Sequence, residues 1–296
     1  MTRTVLVVGR TGQVGYELQR ADWPSGLAPT FLGRDALDLS DPEQAKARVV
    51  EHRPGIVVNA AAYTAVDAAE RERGLAFAVN RDGPAALGEA CAGNGASLIH
   101  ISTDYVFDGA KPGAYDEDDP THPLSVYGES KAAGETAICA RLDRHVIIRT
   151  AWVYSPVGRN FVRTMLRLGA EREQVNVVDD QRGSPTSAAE VARAVITVAA
   201  ALAKGGTDGF GTYHFCGSGA TTWYGFARAI FAGAQQRGMR VPRTVVPITT
   251  AQYPTPARRP ANSVLRSEKI ARVFGIVPRP WQDALADCLD EIAAAR

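Results

Sequence analysis

The first half of the chain alternates between short apolar runs and longer segments whose apolar residues recur at helical spacing. The runs at 4–8, 30–33, 56–60, 97–102 and 145–150 are continuous rather than alternating, which predicts parallel strands buried on both faces. Between them, 12–21, 42–52, 73–93 and 125–141 read as helices. Ser40-Asp41-Pro42-Glu43 has the form of a capping box, with proline at an allowed early helical position. Alternation of this kind predicts an α/β fold with a doubly wound, Rossmann-like parallel sheet.

The second half is less regular. Helices are expected at 160–172, from a cap at Ser187 to about 204, and at 223–236, 267–274 and 281–294. Strands are expected at 175–178 and 213–216. Residues 247–260 hold four prolines and read as an extended loop. The expected division is a dinucleotide-binding lobe over 1–150, with returning segments at about 187–216. A smaller C-terminal substrate lobe then comes from 151–186 and 217–296.

Composition narrows the partners. The 296 residues carry a net charge of +1, and no basic run exceeds two residues. Neither nucleic acid nor an anionic membrane surface is therefore expected as a partner. The first apolar run stops at Gly9, too short for a signal-peptide core or a membrane span. Cys91, Cys139, Cys216 and Cys288 lack metal-ligand spacing and read as buried free thiols. The expectation is a cytoplasmic protein acting on a small molecule.

Chemistry enters with two separated motifs. Gly9, Gly12 and Gly15 follow the first predicted strand and open a helix. This spacing allows a tight turn and close approach of backbone amides to a pyrophosphate. No Gly-Lys-Ser/Thr follows, which excludes an NTP-binding P-loop. Arg34, after the second strand, stands where it could pair with a ribose 2′-phosphate. That favours NADPH and leaves NADH open. Asp38 and Leu39 could reach the adenine edge, and the small residues of Asn59-Ala-Ala-Ala-Tyr63-Thr64 would let backbone approach the cofactor. About 100 residues on, Tyr127 and Lys131 share one helical face. A nearby ammonium is expected to lower the phenol pKa and make Tyr127 a usable acid. Thr103, at the carboxyl end of a predicted strand, offers a hydroxyl to a substrate oxygen.

These segments resemble the extended short-chain dehydrogenase/reductases, and within them the dehydrorhamnose-reductase branch. The likeness runs through Gly9–Leu18, Val58–Asp67, Ser102–Phe107, Val126–Lys131, Arg149–Tyr154, Asp180–Thr186 and Tyr253–Ser263. It implies NAD(P)H-dependent reduction of the C4 ketone of dTDP-4-dehydro-6-deoxy-β-L-mannose. Tyr127 would be the proton donor, with Lys131 and Thr103 assisting. Asp104, Tyr105 and Trp152 would contact substrate, and Gly12, Gln13, Val14, Asp38, Leu39, Ala62, Tyr63 and Thr64 would line the cofactor. Arg258 and Arg259 are candidate clamps for the dianionic diphosphate. Some members of this branch are dimers holding Mg²⁺ through interface glutamates, and Glu17, Glu190 and Glu291 occupy matching places. Two alternatives stay open: a nucleotide-sugar epimerase or dehydratase, and a non-catalytic NADP-binding subunit like that of methionine adenosyltransferase.

Overall fold

The computed structural model describes residues 2–205 and 209–295. The predicted early strands form as β1 (Arg3–Val8), β2 (Leu27–Leu32), β3 (Ile56–Asn59), β4 (Ser97–Thr103) and β5 (His145–Thr150). A sixth strand, Gly211–His214, pairs with β5 and completes an all-parallel sheet in the order β2-β1-β3-β4-β5-sixth. β2 begins at Leu27, earlier than its sequence suggests, and includes Pro29. Proline is tolerated because β2 is the edge of the sheet.

From β1 the chain goes to β2 at the edge and then crosses to β3 on the other side of β1. This reversal makes the carboxyl ends of β1 and β3 a switch point, where open α/β sheets form their ligand crevice.

Period-two alternation within β1 sends its side chains to two cores. Val5 and Val7 pack with α1 (Gln13–Arg20) and the Ala188–Ala203 helix. Leu6 and Val8 pack against α2 (Pro42–His52) and the Gly83–Asn94 and Val126–Cys139 helices. All four are at most 1% exposed, and each buried side chain is worth about 1.5–3 kcal/mol. A third core gathers Tyr154, Val162, Phe226, Trp281 and Leu289 from the second half of the chain.

Several local expectations change. The α2 cap is Asp41, not Ser40: Asp41 Oδ1 accepts from the Glu43 and Gln44 amides at 3.1 Å each. Ser40 donates its amide and hydroxyl to Asp38 instead. The helix expected over 73–93 is Arg73–Phe77, a wide π-turn at Ala78–Asp82, and Gly83–Asn94. The wide turn ends two residues before Pro84, whose missing N–H and ring disturb the regular ladder. The expected loop from 247 begins instead within a strand, Thr244–Ile248, paired in parallel with Gln174–Val178. Pro247 is accommodated because this ribbon has only two strands. Of the four free cysteines, Cys139 is exposed rather than buried.

Candidate active site

A cleft of about 770 Å³ opens at the switch point. Its walls come from the turn after β1, the loop after β3, the end of β4 and the start of the Val126–Cys139 helix.

At the turn, Gly9 has φ +98°, and a Cβ there would lie 2.6 Å from the Ala61 amide nitrogen. A Cβ on Gly15 would collide with the Gly9 carbonyl. Both glycines are thus required by the chain itself, and Gly15 lies behind the cleft wall. Gly12 differs. It has φ −76°, and a Cβ there would meet nothing closer than 3.5 Å. Glycine at 12 leaves a cradle open to the cleft where the amino end of α1 begins, with no side-chain cap and no acidic residue in its first turn. That donor set fits a pyrophosphate. Gln13 Oε1 is held by Asn160 Nδ2 at 2.9 Å.

Arg34, Asp38 and Leu39 border the same cleft. Arg34 Nε bonds Asp38 Oδ2 at 3.0 Å, and its side chain is 72% exposed. The Ser40 amide, with help from the Ser40 hydroxyl and Arg34, keeps the Asp38 carboxyl below the usual range. Ala62, Tyr63 and Thr64 line the opposite wall. Tyr63 is clasped by its backbone: its amide donates to Asn80 Oδ1 at 2.8 Å and its carbonyl accepts from Asn80 Nδ2 at 3.0 Å. Asn80, on the π-turn, also bonds Ser130 Oγ at 3.0 Å. The loop after β3 is thereby tied to the Val126–Cys139 helix.

Thr103, Asp104, Tyr105, Tyr127, Lys131 and Trp152 meet at the other end of the cleft. Thr103 Oγ1 donates to Asp104 Oδ1 at 3.0 Å and accepts from the Tyr105 amide at 3.2 Å. Burial raises the Asp104 carboxyl to about 6, opposed first by the Ser263 hydroxyl and then by the Thr103 hydroxyl. Its Oδ2 is buried without a partner among the described residues. Tyr105 and Tyr127 meet edge to face, with ring centroids 5.4 Å apart.

The expected depression of the Tyr127 phenol is not found. Burial pushes it up to about 12, and only a hydrogen bond with Thr103 pulls against that. The reason is where Lys131 ends. Its Nζ donates to the Ile101 carbonyl at 2.7 Å and lies 3.1 Å from His100 Nε2, so it is anchored on β4. Burial lowers the Lys131 ammonium to about 8, with Glu135 acting in the opposite direction.

Trp152 has φ +50°, a strained conformation for a bulky residue. Its indole stacks on Trp223 at 3.5 Å and 9°. Gly183 supplies the floor, since a Cβ there would lie 2.6 Å from the indole nitrogen. Trp223 Nε1 donates to Gln181 Oε1 at 3.1 Å. The Asp180–Thr186 motif thus acts by seating Trp152.

Other candidates are not brought into the cleft. Arg258 is exposed and does not line it. Arg259 is engaged by Asp67 through two hydrogen bonds, 3.1 and 2.8 Å. Glu17, Glu190 and Glu291 are not arranged as a metal centre. Among the described residues no group of three or more His, Cys, Asp or Glu side chains could hold a metal ion. Arginines supply the counter-charge instead: Arg20 bonds Glu291 at 2.5 Å and approaches Glu17 to 3.8 Å, and Arg193 and Arg279 pair with Glu190. Within one chain, arginines thus occupy the carboxylates that a Mg²⁺ would need free to coordinate it.

Asn80, His100, Gly183 and Trp223 were not singled out from the sequence. His100 had the clearest signal, as a lone histidine inside the apolar run of a central strand.

A parallel sheet with a glycine turn at its switch point, and a Tyr-x-x-x-Lys helix beside a strand-end hydroxyl, defines the extended short-chain dehydrogenase/reductase class. Comparison with known proteins narrows this. The family described as RmlD substrate binding domain matches residues 3–294. A dTDP-4-dehydrorhamnose reductase of Sinorhizobium fredii is 47% identical over 280 residues, 94% of each chain. Among solved structures, the dTDP-4-dehydrorhamnose reductase of Clostridium acetobutylicum superposes with a TM-score of 0.90 at 36% identity, covering 98% of this chain and 99% of its own. The Bacillus anthracis enzyme of the same name, solved in complex with NADP, gives 0.89 at 37% identity, covering 98% and 100%. The chain belongs to the dTDP-4-dehydrorhamnose reductase family.

Proposed function

We propose that this protein reduces the C4 ketone of dTDP-4-dehydro-6-deoxy-β-L-mannose to dTDP-β-L-rhamnose with NADPH. The observation that carries the reading is the single cleft that joins the Gly12 cradle to Thr103, Tyr127 and Lys131. The relatives' shared name supplies the substrate, and the NADP complex of the Bacillus anthracis enzyme supports the cofactor.

In this reading the sheet core with its returning segments at 187–216 carries the cofactor, and the remaining C-terminal elements carry the sugar nucleotide. The Gln13 and Val14 amides receive the pyrophosphate, and Arg34 reaches a 2′-phosphate through its exposed guanidinium. NADPH, when bound, supplies the hydride to the ketone carbon. Tyr127 donates its phenolic proton to the oxygen as negative charge develops there. A phenol raised by burial stays protonated until that moment, which suits a donor. Thr103 donates a hydrogen bond to the same oxygen, and Lys131 leaves β4 to favour the phenolate. Asp104 holds the Thr103 hydroxyl in place beside the substrate, while Tyr105 and Trp152 wall the ring.

Mg²⁺ has no step in this mechanism. A homodimer in the cytoplasm is the proposed setting, and four free cysteines are compatible with a reducing compartment. No described helix is long and apolar enough to cross a membrane.

The test mixes purified protein with NADPH and freshly prepared dTDP-4-dehydro-6-deoxy-L-mannose and follows nicotinamide absorbance. Loss of absorbance with dTDP-L-rhamnose as product supports the proposal. Cofactor binding without turnover, with NADPH and with NADH, would overturn it.

A further inference from the structure

A buried hydrogen-bonded chain runs behind the cleft from the loop after β3 to Lys131. It begins at the Ala61 amide, which donates to Asn59 Oδ1 at 3.1 Å. That bond decides which way the Asn59 amide faces, so its Nδ2 meets His100 Nδ1 at 3.0 Å. An amide nitrogen only donates, so Nδ1 must accept, and the neutral ring then carries its proton on Nε2. Nε2 lies 3.1 Å from Lys131 Nζ. An ammonium has three donors and no acceptor, whereas an amine has a lone pair. The chain is complete only with Nε2–H donating to an amine whose own hydrogen goes to the Ile101 carbonyl.

We infer that His100 is a positioning residue that favours the neutral amine at Lys131 by aiming a fixed Nε2–H at its nitrogen, with Asn59 setting the tautomer. The inference rests on the reading of Lys131 as the assisting group. Protonating Nζ turns the His100 contact into donor against donor while the Ile101 carbonyl still accepts, so charge weakens one of the two anchors on β4.

The surroundings agree. His100 and Asn59 are 0% exposed. Burial holds His100 well below its usual value, so the ring is neutral at working pH. Lys131 also feels Glu135 on its own helix, and Arg149 of β5 through Glu135, and it shares the cleft lining with Tyr127 and Asp104. Glu135 favours the ammonium, but Arg149 holds it at 2.7 and 3.1 Å and the Ser102 hydroxyl also donates to it.

The test needs no substrate. In protein labelled with ¹⁵N-histidine, long-range ¹H–¹⁵N spectra distinguish the protonated ring nitrogen from the bare one. His100 is expected as Nε2–H, without titration between pH 6 and 9. An Nδ1–H ring, or titration near 6.5, would overturn the inference. In Asn59→Asp the carboxylate accepts from both Ala61 N–H and Nδ1–H, which moves the proton off Nε2. The proton affinity of Lys131, read from its labelled ε-carbon, is then expected to rise at least tenfold. A moved tautomer with unchanged Lys131 titration would also overturn the inference. If Asn59→Asp does not fold, the wild-type spectrum decides alone. Failure of the wild type to reduce the dTDP-sugar would sink the proposed function and leave the tautomer result standing.

Discussion

Replacing Lys131 with methionine should change how stability depends on pH, by an amount the structure allows to be worked out. Lys131 is 1% exposed, and burial lowers its ammonium from 10.5 to about 8. Each unit is worth about 1.36 kcal/mol, so the folded chain bears a penalty of about 3 kcal/mol for keeping this proton. The sign follows from linkage. The penalty is fully present below pH 8. It fades as pH rises from 8 to 10.5, where the unfolded chain still binds the proton and the folded chain does not. Lys131→Met removes the penalty. It also removes the bonds to Ile101 and His100, whose dependence on the Lys131 charge is already contained in that shift. The wild type should therefore gain about 2 kcal/mol on the variant between pH 8 and pH 10. Urea unfolding at matched ionic strength measures the gap, and every other titrating group is common to both proteins. Parallel stability profiles over that range would show that Lys131 carries no such penalty, and the reasoning would fail.

Tyr127→Phe should abolish most turnover while NADPH still binds; near-wild-type turnover would remove Tyr127 from the acid role. Gly12→Ala meets nothing closer than 3.5 Å in the chain, so stability should change by less than about 1 kcal/mol while NADPH affinity drops at least tenfold by titration; unchanged affinity would argue against the cradle. Gly183→Ala forces the Trp152 indole from its seat and should cost about 1–3 kcal/mol and raise KM for the sugar nucleotide more than for NADPH, as steady-state kinetics would reveal. Arg34→Ala should raise KM for NADPH more than for NADH, and equal effects would mean that Arg34 does not read a 2′-phosphate.

The sheet was legible because a strand buried on both faces has no polar side to interrupt its apolar run, and β1, β3 and β5 are such strands. The second half resisted because its pairings are short and distant. Arg182–Gly183 is bridged by Thr221–Thr222 on one side and Asn262–Ser263 on the other, and two residues carry no period. Ser40 and Asp41 both offer an acceptor to α2, and only the competing demand of Asp38 on Ser40 separates them. At the site, spacing correctly set Tyr127 and Lys131 near one cleft but could not say where a four-carbon side chain ends. A backbone carbonyl at Ile101 captured it. The glutamates were visible as charges, while the arginines that neutralise them lie up to 271 residues away in sequence.

The π-turn at Ala78–Asp82 has a consequence for how this chain can change. Deleting one residue there would return the segment to a regular α-helix, a local gain in hydrogen-bond geometry. It would also swing Asn80 about 100° around the helix axis and free both Tyr63 and Ser130. What is best for the helix as a helix is therefore a trap for the enzyme, and an irregularity that looks like a flaw is the rivet between two walls of one site.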